Sequence, residues 1–192
     1  MSGDRVLLAL GPVAALFDRL GITWHVGGSV ASTTFGTARS TLDVDIAADV
    51  RLEHVDAIVA ALRVDYYADG DLIRDAVRHR TCFNLLYLRA YFKVDIFVPP
   101  DTRYARMAMS RSVRRELRVG DVAAVFPFAT PEDVALHKLD WWQQAGGSER
   151  QWADLMGLLR AQRGRLDLAY LREWAAALGL TAEIEQALHE AM

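Results

Sequence analysis

Two spacings of apolar residues alternate along the chain and divide it into predicted helices and strands. Apolar positions repeat every three or four residues at 5–20 and at 51–64, which is the period of an amphipathic helix. Residues 42–47 instead alternate apolar and polar side chains, which is the period of a strand with one buried face. The chain is therefore expected to fold as an α/β protein.

Further apolar runs complete the predicted sheet. The run at 22–26 ends in Gly27-Gly28-Ser29, and a small-residue segment follows at 30–35. This order predicts a strand, a tight turn and a short helix. Two strand pairs are predicted from the remaining apolar runs, at residues 82–88 with 91–98 and 112–119 with 122–126.

The last third of the sequence predicts a helical layer. Thr130 is followed by Pro131 and then by Asp133, an order typical of a helix N-terminus. No strand-like alternation occurs beyond this point, and the apolar spacing predicts four helices, at residues 130–145, 148–162, 168–178 and 181–191. The expected organisation is a mixed sheet flanked by helices at residues 1–128 and a C-terminal helical lobe at residues 129–192.

Two carboxylates share one face of the predicted strand at residues 42–47. Asp43 and Asp45 are two residues apart, and like charges this close raise a pKa or require a counter-charge. Mg²⁺, which prefers oxygen ligands, meets that requirement. The Gly27-Gly28-Ser29 turn would let backbone N–H groups approach a phosphate. The alternative is an ordinary turn followed by an exposed polar strand face.

The turn and the carboxylates together resemble the signature of the DNA polymerase β-like nucleotidyltransferase superfamily. Gly28-Ser29 is followed, after thirteen residues, by Asp43-Val44-Asp45, and the superfamily pattern is a Gly-Ser turn followed by Asp-x-Asp. The resemblance implies that a third carboxylate comes from a later strand, where this chain has Asp95. The segment that starts at Thr130 resembles a helix of small bacterial members, including abortive-infection, toxin–antitoxin and antibiotic nucleotidyltransferases.

The resemblance implies a minimal nucleotidyltransferase core and a defined reaction. A nucleoside monophosphate would pass from an NTP to a hydroxyl acceptor, with release of pyrophosphate and with two Mg²⁺ ions as cofactors. The acceptor would be a small molecule, a protein or a tRNA. The resemblance assigns the catalytic and metal-binding roles to Asp43, Asp45 and Asp95. The candidate nucleotide-binding residues are Gly28, Ser29, Arg39 and Lys138.

Each of these assignments has an alternative. Ser29 could serve only as a helix N-cap, Asp95 could form only an ion pair with Lys93, and Arg39 and Lys138 could be surface charges. Two further functions also fit the pattern. One is a non-catalytic or partner-dependent protein of the toxin–antitoxin type that retains the fold, and the other is a metal-dependent phosphohydrolase that directs the same carboxylates at water.

The net charge of −3 conceals a basic middle segment. Residues 74–118 carry 11 basic and four acidic side chains, whereas both flanking segments are acidic. A basic surface suits a phosphate-bearing partner, either the nucleotide or RNA, although the same charges could instead pair with the acidic flanks. The negative total argues against broad nucleic-acid affinity. The basic block contains Arg103, Arg106, Arg111, Arg114, Arg115 and Arg118.

The remaining sequence features favour a cytoplasmic protein without a membrane partner. Cys82 is the only cysteine, so no internal disulfide can form, and it is expected to be a small core residue in a reducing compartment. No apolar run approaches the roughly 18 residues of a transmembrane helix. Aromatic residues near the candidate site are expected to pack rather than to touch substrate: His25, Trp141, Trp142 and Trp152.

Overall fold

The computed structural model describes residues 2–36 and 42–191, and it confirms the α/β architecture. The described residues form nine α-helices: α1 Ser2–Arg19, α2 Gly28–Thr34, α3 Val55–Leu62, α4 Gly70–His79, α5 Arg103–Ser110, α6 Pro131–Gln144, α7 Glu149–Ala161, α8 Leu168–Leu178 and α9 Thr181–Ala191. They also form seven strands: β1 Trp24–Val26, β2 Asp43–Ala48, β3 Tyr66–Tyr67, β4 Cys82–Tyr87, β5 Phe92–Phe97, β6 Val113–Val119 and β7 Val122–Phe128.

The seven strands form one mixed sheet in the order β3-β4-β5-β2-β1-β7-β6. Both predicted strand pairs, β4 with β5 and β6 with β7, are antiparallel neighbours. The central pair, β2 and β5, is parallel. Parallel strands place residues of equal register side by side, so this pair determines which side chains from distant parts of the sequence meet.

One face of the central strands forms the core. Along β2 the side chains of Val44, Ile46 and Ala48 are buried, while Asp43 and Asp45 on the opposite face are half-buried. Helix α1 covers the apolar face, since it contacts β2, β5, β6 and β7. The predicted alternation along β2 is confirmed. The short helix α2 and the C-terminal helices lie on the opposite, carboxylate face of the sheet.

The C-terminal helices pack on one another and on the carboxylate side of the sheet. Thr130 caps α6, because its hydroxyl accepts the Asp133 N–H, and Pro131 follows it. Helix α6 contacts α2, α7 and α8, and the Gln162 side chain donates to the Phe35 carbonyl oxygen at 2.7 Å. The predicted helical lobe is confirmed, and its first helix lies next to the Gly-Gly-Ser turn.

Asp133 fixes α6 to α8 through a buried polar cluster. The carboxylate is fully buried and accepts hydrogen bonds from the Thr130 hydroxyl and the Tyr170 hydroxyl, each at 2.7 Å. Burial, together with the hydrogen bond to Asp133, raises the pKa of Tyr170 well above its usual range. Buried polar groups satisfied in this way specify one packing arrangement.

Asp101 follows Pro99-Pro100 and is a typical N-cap residue, so the sequence predicts that a helix begins there. Thr102, and not Asp101, caps α5, because the Thr102 hydroxyl accepts the Ala105 N–H while Asp101 forms an ion pair with Arg106. Gly11-Pro12 suggests a kink or a division of the first helix, and α1 is not divided, since it runs through both residues. None of the helices in residues 2–36 and 42–191 is long and apolar enough to cross a membrane.

Candidate active site

The three aspartates predicted from the sequence lie on one face of the sheet. In the parallel pair of β2 and β5, Asp45 is the register partner of Asp95, and Asp43 is the partner of Lys93. Asp95 is buried, whereas Asp43 and Asp45 are half-buried. Since strand neighbours in direct register have Cβ atoms about 5 Å apart, the structure brings Asp45 and Asp95 together although 50 positions separate them.

Asp95 is held by two neighbours. Lys93 Nζ lies 2.7 Å from Asp95 Oδ2, and the Asn84 side-chain amide donates to Asp95 Oδ1. The ion pair with Lys93, which the sequence suggested as an alternative to metal binding by Asp95, is therefore present. The pKa of Lys93 is raised, chiefly by its hydrogen bond to Asp95.

Asn84 is the residue of the site that sequence patterns did not identify. It lies on β4, where it is the register partner of Asp95, and it occupies a polar position in an otherwise apolar run. This polar residue within an apolar run was the sequence feature that could have identified Asn84. Its meaning depended on the strand pairing, because only the register places Asn84 beside a carboxylate.

The Gly-Gly-Ser turn packs directly against Asp45. The Gly27 N–H donates to the Asp45 carbonyl oxygen at 2.9 Å. Gly28 has a φ of +55°, and a Cβ at that position would lie 1.7 Å from Asp45 Oδ2. Only glycine fits this turn, for both steric and conformational reasons.

Ser29 contributes its backbone to the site. Helix α2 begins at Gly28 with Gly27 as its N-cap and without a side-chain cap, so the alternative of Ser29 as N-cap is wrong. The Ser29 backbone N–H hydrogen-bonds to Asp45 and lowers the pKa of that carboxyl. The amide that the sequence assigned to a phosphate therefore contacts a carboxylate of the same site.

Asp45 is partly desolvated and lies beside two other carboxylates. Burial, Asp43 and Asp95, in that order, raise its pKa to about 6, against the opposing effects of the Ser29 N–H and Lys138. Partly desolvated carboxylates with like-charged neighbours favour a proton or another cation. The pKa of Asp45 is thus raised first by burial and second by the neighbouring aspartates, and a bound cation would lower it.

The donor set fits a hard divalent cation. Three carboxylates supply only oxygen ligands, as Mg²⁺ prefers, and the raised pKa of Asp45 indicates a need for positive charge. Among the described residues, no three His, Cys, Asp or Glu side chains are already arranged to hold a metal. Asp95 would have to exchange its Lys93 partner for the ion, so metal binding and this ion pair compete.

Lys138 is buried rather than exposed on the surface. It is 6% exposed and its Nζ lies 3.2 Å from Asp154 Oδ2, which joins α6 to α7. Its charge also lowers the pKa of Asp45, which places it within electrostatic reach of the carboxylates. Arg39, the other predicted cation of the site, lies outside the described residues.

His25 lies on the carboxylate face of β1, next to β2. It pairs with Ala47 and is buried, and its Nδ1 has no hydrogen-bond partner among the described residues. Burial, together with His137, lowers its pKa to about 3. The prediction that His25 is a packing residue is consistent with this burial.

The low pKa of His25 predicts a pH-dependent contribution to stability. The unfolded chain takes up a proton near pH 6.5 and the folded protein only near pH 3, so this contribution is present above pH 6.5 and is lost on acidification. Relative to wild type, His25→Gln should become more stable by up to about 3 kcal/mol between pH 7 and pH 4. Urea titrations at each pH measure this difference, with the exposed His79→Gln as the control. Parallel pH profiles for His25→Gln and wild type would contradict the prediction.

The basic block does not form one open cationic surface. Four of its arginines contact carboxylates: Arg103 with Glu173, Arg106 with Asp101, Arg111 with Glu132 and Asp133, and Arg118 with Glu116. Arg111 is also stacked on the Tyr170 ring at 3.7 Å. The partners of Arg103 and Arg111 belong to the acidic C-terminal segment, whereas Asp101 and Glu116 lie within the basic segment itself. Charge pairing with the flanks therefore accounts for two of these four arginines.

Two further side chains differ from the predictions made for them. Cys82 is exposed, because it lies on β4 opposite Phe97 on the carboxylate face rather than in the core. Trp141 is 52% exposed and touches the Phe97 ring edge-on, whereas Trp142 and Trp152 pack together as expected. Phe97 is two residues from Asp95 on the same face, so Trp141 borders the candidate site.

The comparisons with known proteins identify the fold. The sequence matches no family model and no curated protein. The antibiotic-resistance factor ANT(2'')-Ia is 14% identical with a TM-score of 0.57, over 98% of this chain and 99% of its own. An antigenic nucleotidyltransferase-like protein from Paracoccidioides brasiliensis is 15% identical with a TM-score of 0.54, over 100% and 95%.

A third solved structure is similar over a smaller part of the chain. It is the lincosamide antibiotic adenylyltransferase LnuA bound to lincomycin, with 17% identity and a TM-score of 0.47 over 78% of this chain and 93% of its own. The two similarities above a TM-score of 0.5 confirm the fold expected from the Gly-Ser and Asp-x-Asp resemblance. The chain therefore shares its fold with these two solved structures.

Proposed function

We propose that this protein is a Mg²⁺-dependent nucleotidyltransferase that transfers a nucleoside monophosphate from an NTP to a hydroxyl acceptor. The observation that carries the proposal is that Gly28, Asp45 and Asp95 lie side by side. The turn at Gly28 packs on the Asp45 carboxylate, and the register of β2 and β5 places Asp95 next to Asp45. The shared fold with a nucleotidyltransferase-like protein supports the same reaction class.

The reaction forms one phosphorus–oxygen bond and breaks another. The acceptor hydroxyl oxygen attacks the α-phosphorus of the NTP, and the bond from that phosphorus to the oxygen bridging to the β-phosphate breaks. Pyrophosphate leaves with the electron pair of the broken bond. The hydroxyl proton passes to a carboxylate of the site, a role that we assign to Asp95 because the Asn84 side-chain amide holds it in place.

Some residues of the site would bind the metal, and others would bind the nucleotide. Asp43, Asp45 and Asp95 would hold Mg²⁺, which in such sites activates the attacking oxygen and stabilises the charge on the leaving group. The Gly28-Ser29 turn would admit the phosphates beside Asp45, because Gly28 itself carries no side chain. Lys138 would contribute positive charge from α6, and we retain Arg39 as a candidate for the same purpose.

The two alternatives make different predictions for the same residues. A non-catalytic partner protein has no need for a half-buried Asp45 beside Asp95, because burial and the neighbouring aspartates raise the pKa of Asp45 at a cost to folding. A phosphohydrolase would use water as acceptor and release free phosphate or a nucleotide rather than form an adduct. We also propose residues 1–128 as the catalytic core, residues 129–192 as a helical lobe, and a cytoplasmic location.

The proposal is tested by thermal melts and product analysis with each of the four NTPs. An NTP at 100 times its dissociation constant should stabilise the protein by about 2.7 kcal/mol, and only with Mg²⁺. Pyrophosphate and a nucleotidylated product should appear together once an acceptor is supplied. No Mg²⁺-dependent shift with any NTP would contradict the proposal, and release of inorganic phosphate without an adduct would favour the phosphohydrolase.

Removal of Lys93 should strengthen Mg²⁺ binding. Lys93→Met frees the Asp95 carboxylate and deletes a positive charge within 3 Å of it. The Mg²⁺ dissociation constant should fall about tenfold, as expected when a nearby unit charge in a partly screened site is lost. Isothermal titration with Mg²⁺ alone measures this change without any catalytic assay.

Arg89→Met is the matched control for Lys93→Met. Arg89 lies in the same hairpin and pairs with Asp65 at the surface. Its replacement therefore also removes one positive charge, but at a position away from the three aspartates. Mg²⁺ affinity should remain unchanged in Arg89→Met. Equal Mg²⁺ affinities in wild type and Lys93→Met would show that the ion pair does not compete with the metal.

A further inference from the structure

A groove lies beside the aspartates, between α4 and the strands β3 and β4. Its volume is about 310 Å³, which is at the lower end of the range for small-molecule sites. Tyr67 and Leu72 expose more than half of their surfaces there. The residues of this groove that carry the argument are Tyr67, Asp69, Leu72, Asp75, Cys82 and Asn84.

The groove is continuous with the candidate active site. Asn84 lines the groove and also donates its amide to Asp95. Cys82, on the same face of β4, has a thiol pKa raised to about 11 by burial and then by Asp95, with a smaller effect of Asp45. A molecule in this groove would therefore reach the carboxylates from the β4 side of the sheet.

The chemistry of the groove favours a cation over an anion. Asp69 and Asp75 line it, and no Lys, Arg or His is among the described residues that do so. Asp69 caps α4 through one carboxylate oxygen, Oδ1. Asp75 is largely exposed, and its Oδ1 lies 3.2 Å from His79 Nδ1, a contact that is an ion pair only when the histidine is protonated. Tyr67 and Leu72 supply the apolar surface between these carboxylates and the sheet.

We propose that this groove binds the acceptor of the transfer reaction, and that the acceptor is a small organic cation with an apolar part and a hydroxyl group. Its protonated amine would lie near Asp69 and Asp75, its apolar part on Tyr67 and Leu72, and its hydroxyl beside Asn84 and Asp95. The assignment rests on the proposed nucleotidyltransferase function, and it specifies which of the possible acceptor classes this chain accepts.

The charge distribution argues against a phosphate-bearing acceptor in this position. A phosphate in the groove would face Asp69 and Asp75, and no arginine or lysine lines the groove in the part of the chain that the structure describes. The neighbouring Lys93 is paired with Asp95. Most of the basic block is paired with carboxylates elsewhere. Like charges placed together in this way act against binding.

Cys82 provides a direct measure of occupancy. It is the only cysteine in the chain and it is exposed in the groove, so a bound molecule should slow its alkylation by the neutral reagent iodoacetamide. Three probes share one carbon skeleton: 2-amino-1-phenylethanol is cationic, 1-phenylethane-1,2-diol is neutral, and mandelate is anionic. At about ten times its dissociation constant, a probe should slow alkylation about tenfold, because only the free fraction reacts.

The expected result is protection by the amine at concentrations where the diol and mandelate give little. The double variant Asp69→Asn/Asp75→Asn should lose that protection and still fold, because asparagine caps a helix as well as aspartate does. Asp71→Asn is the matched control, since Asp71 lies on the same helix and is exposed outside the groove. Equal protection by all three probes, or by none, would overturn the proposal.

The same samples separate this proposal from the proposed function. Mg²⁺-dependent stabilisation by an NTP reports on the nucleotide site and does not involve the groove. An NTP response without amine-selective protection of Cys82 overturns the acceptor assignment alone. Amine-selective protection without any NTP response leaves the cation site standing and removes the nucleotidyltransferase reaction.

Discussion

Replacement of Asp45 with asparagine is expected to reduce nucleotidyl transfer by at least about a thousandfold, because loss of a charged ligand removes several kcal/mol of transition-state stabilisation. The same change should stabilise the folded protein above pH 7. Asp45 has a folded pKa of about 6, above its model-peptide value of 3.8, so the cost of its ionisation to folding builds up between these two pH values and is fully present above pH 6. Its removal should increase the free energy of unfolding at pH 8 by on the order of 1–3 kcal/mol.

Pyrophosphate release and urea unfolding at pH 5 and pH 8 test both parts of the Asp45→Asn prediction. The stability gain should be smaller at pH 5, where Asp45 of the wild type is largely protonated. The control is Asp49→Asn, just beyond the end of the same strand, where the carboxylate pairs with Arg51 at the surface. That variant should retain activity and gain no stability. An active Asp45→Asn enzyme would refute the site assignment.

Replacement of Gly28 with alanine is the second change with a large expected effect. The new Cβ would lie 1.7 Å from Asp45 Oδ2 and 2.6 Å from Asp45 Cγ, in a backbone conformation with φ of +55°. The turn or the carboxylate must then move. We expect a loss of stability of about 1–3 kcal/mol, and a loss of transfer of about a hundredfold or more from misplacement of Asp45.

Gly27→Ala is a close control for Gly28→Ala. A Cβ at Gly27 would meet no atom within 4 Å, and its φ of −119° is ordinary for alanine. Stability from thermal melts and kcat from pyrophosphate release should both remain close to wild type in this variant. The double variant Gly28→Ala/Asp45→Ala should recover part of the lost stability, because it removes the atoms of the closest contacts, and it should recover no activity. If Gly28→Ala and Gly27→Ala behaved alike, the close approach of the turn to Asp45 would be wrong.

The secondary structure was largely predictable from local sequence. The period of two in residues 42–47 places Val44 and Ile46 in the core and Asp43 and Asp45 on the opposite face, as observed. The order Thr130-Pro131 marks a helix start, because a hydroxyl cap and a residue without an N–H both suit that position. The boundary at Asp101 was wrong because the choice between two adjacent capping residues depended on the ion pair with Arg106.

The candidate site was only partly predictable. A short motif was sufficient to propose Gly28, Asp43 and Asp45, since these residues are close in sequence, and the resemblance added Asp95. The partners of Asp95 were not accessible in the same way, because Asn84 reaches it through the pairing of β4 with β5. Exposure of Cys82 and burial of Lys138 were likewise decided by which helices and strands cover them.

The sequence by itself determined the helices and strands, the face on which the first two aspartates lie, and the residue types suited to a metal and a phosphate. Those properties follow from residue periodicity and from chemistry that acts over a few positions. The tertiary structure decided the rest: the parallel register that joins Asp45 to Asp95, the contact of Gly28 with Asp45, and the pairing of two arginines of the basic block with distant carboxylates. These contacts depend on packing between segments far apart in the chain, and local patterns do not encode their register or their charge balance.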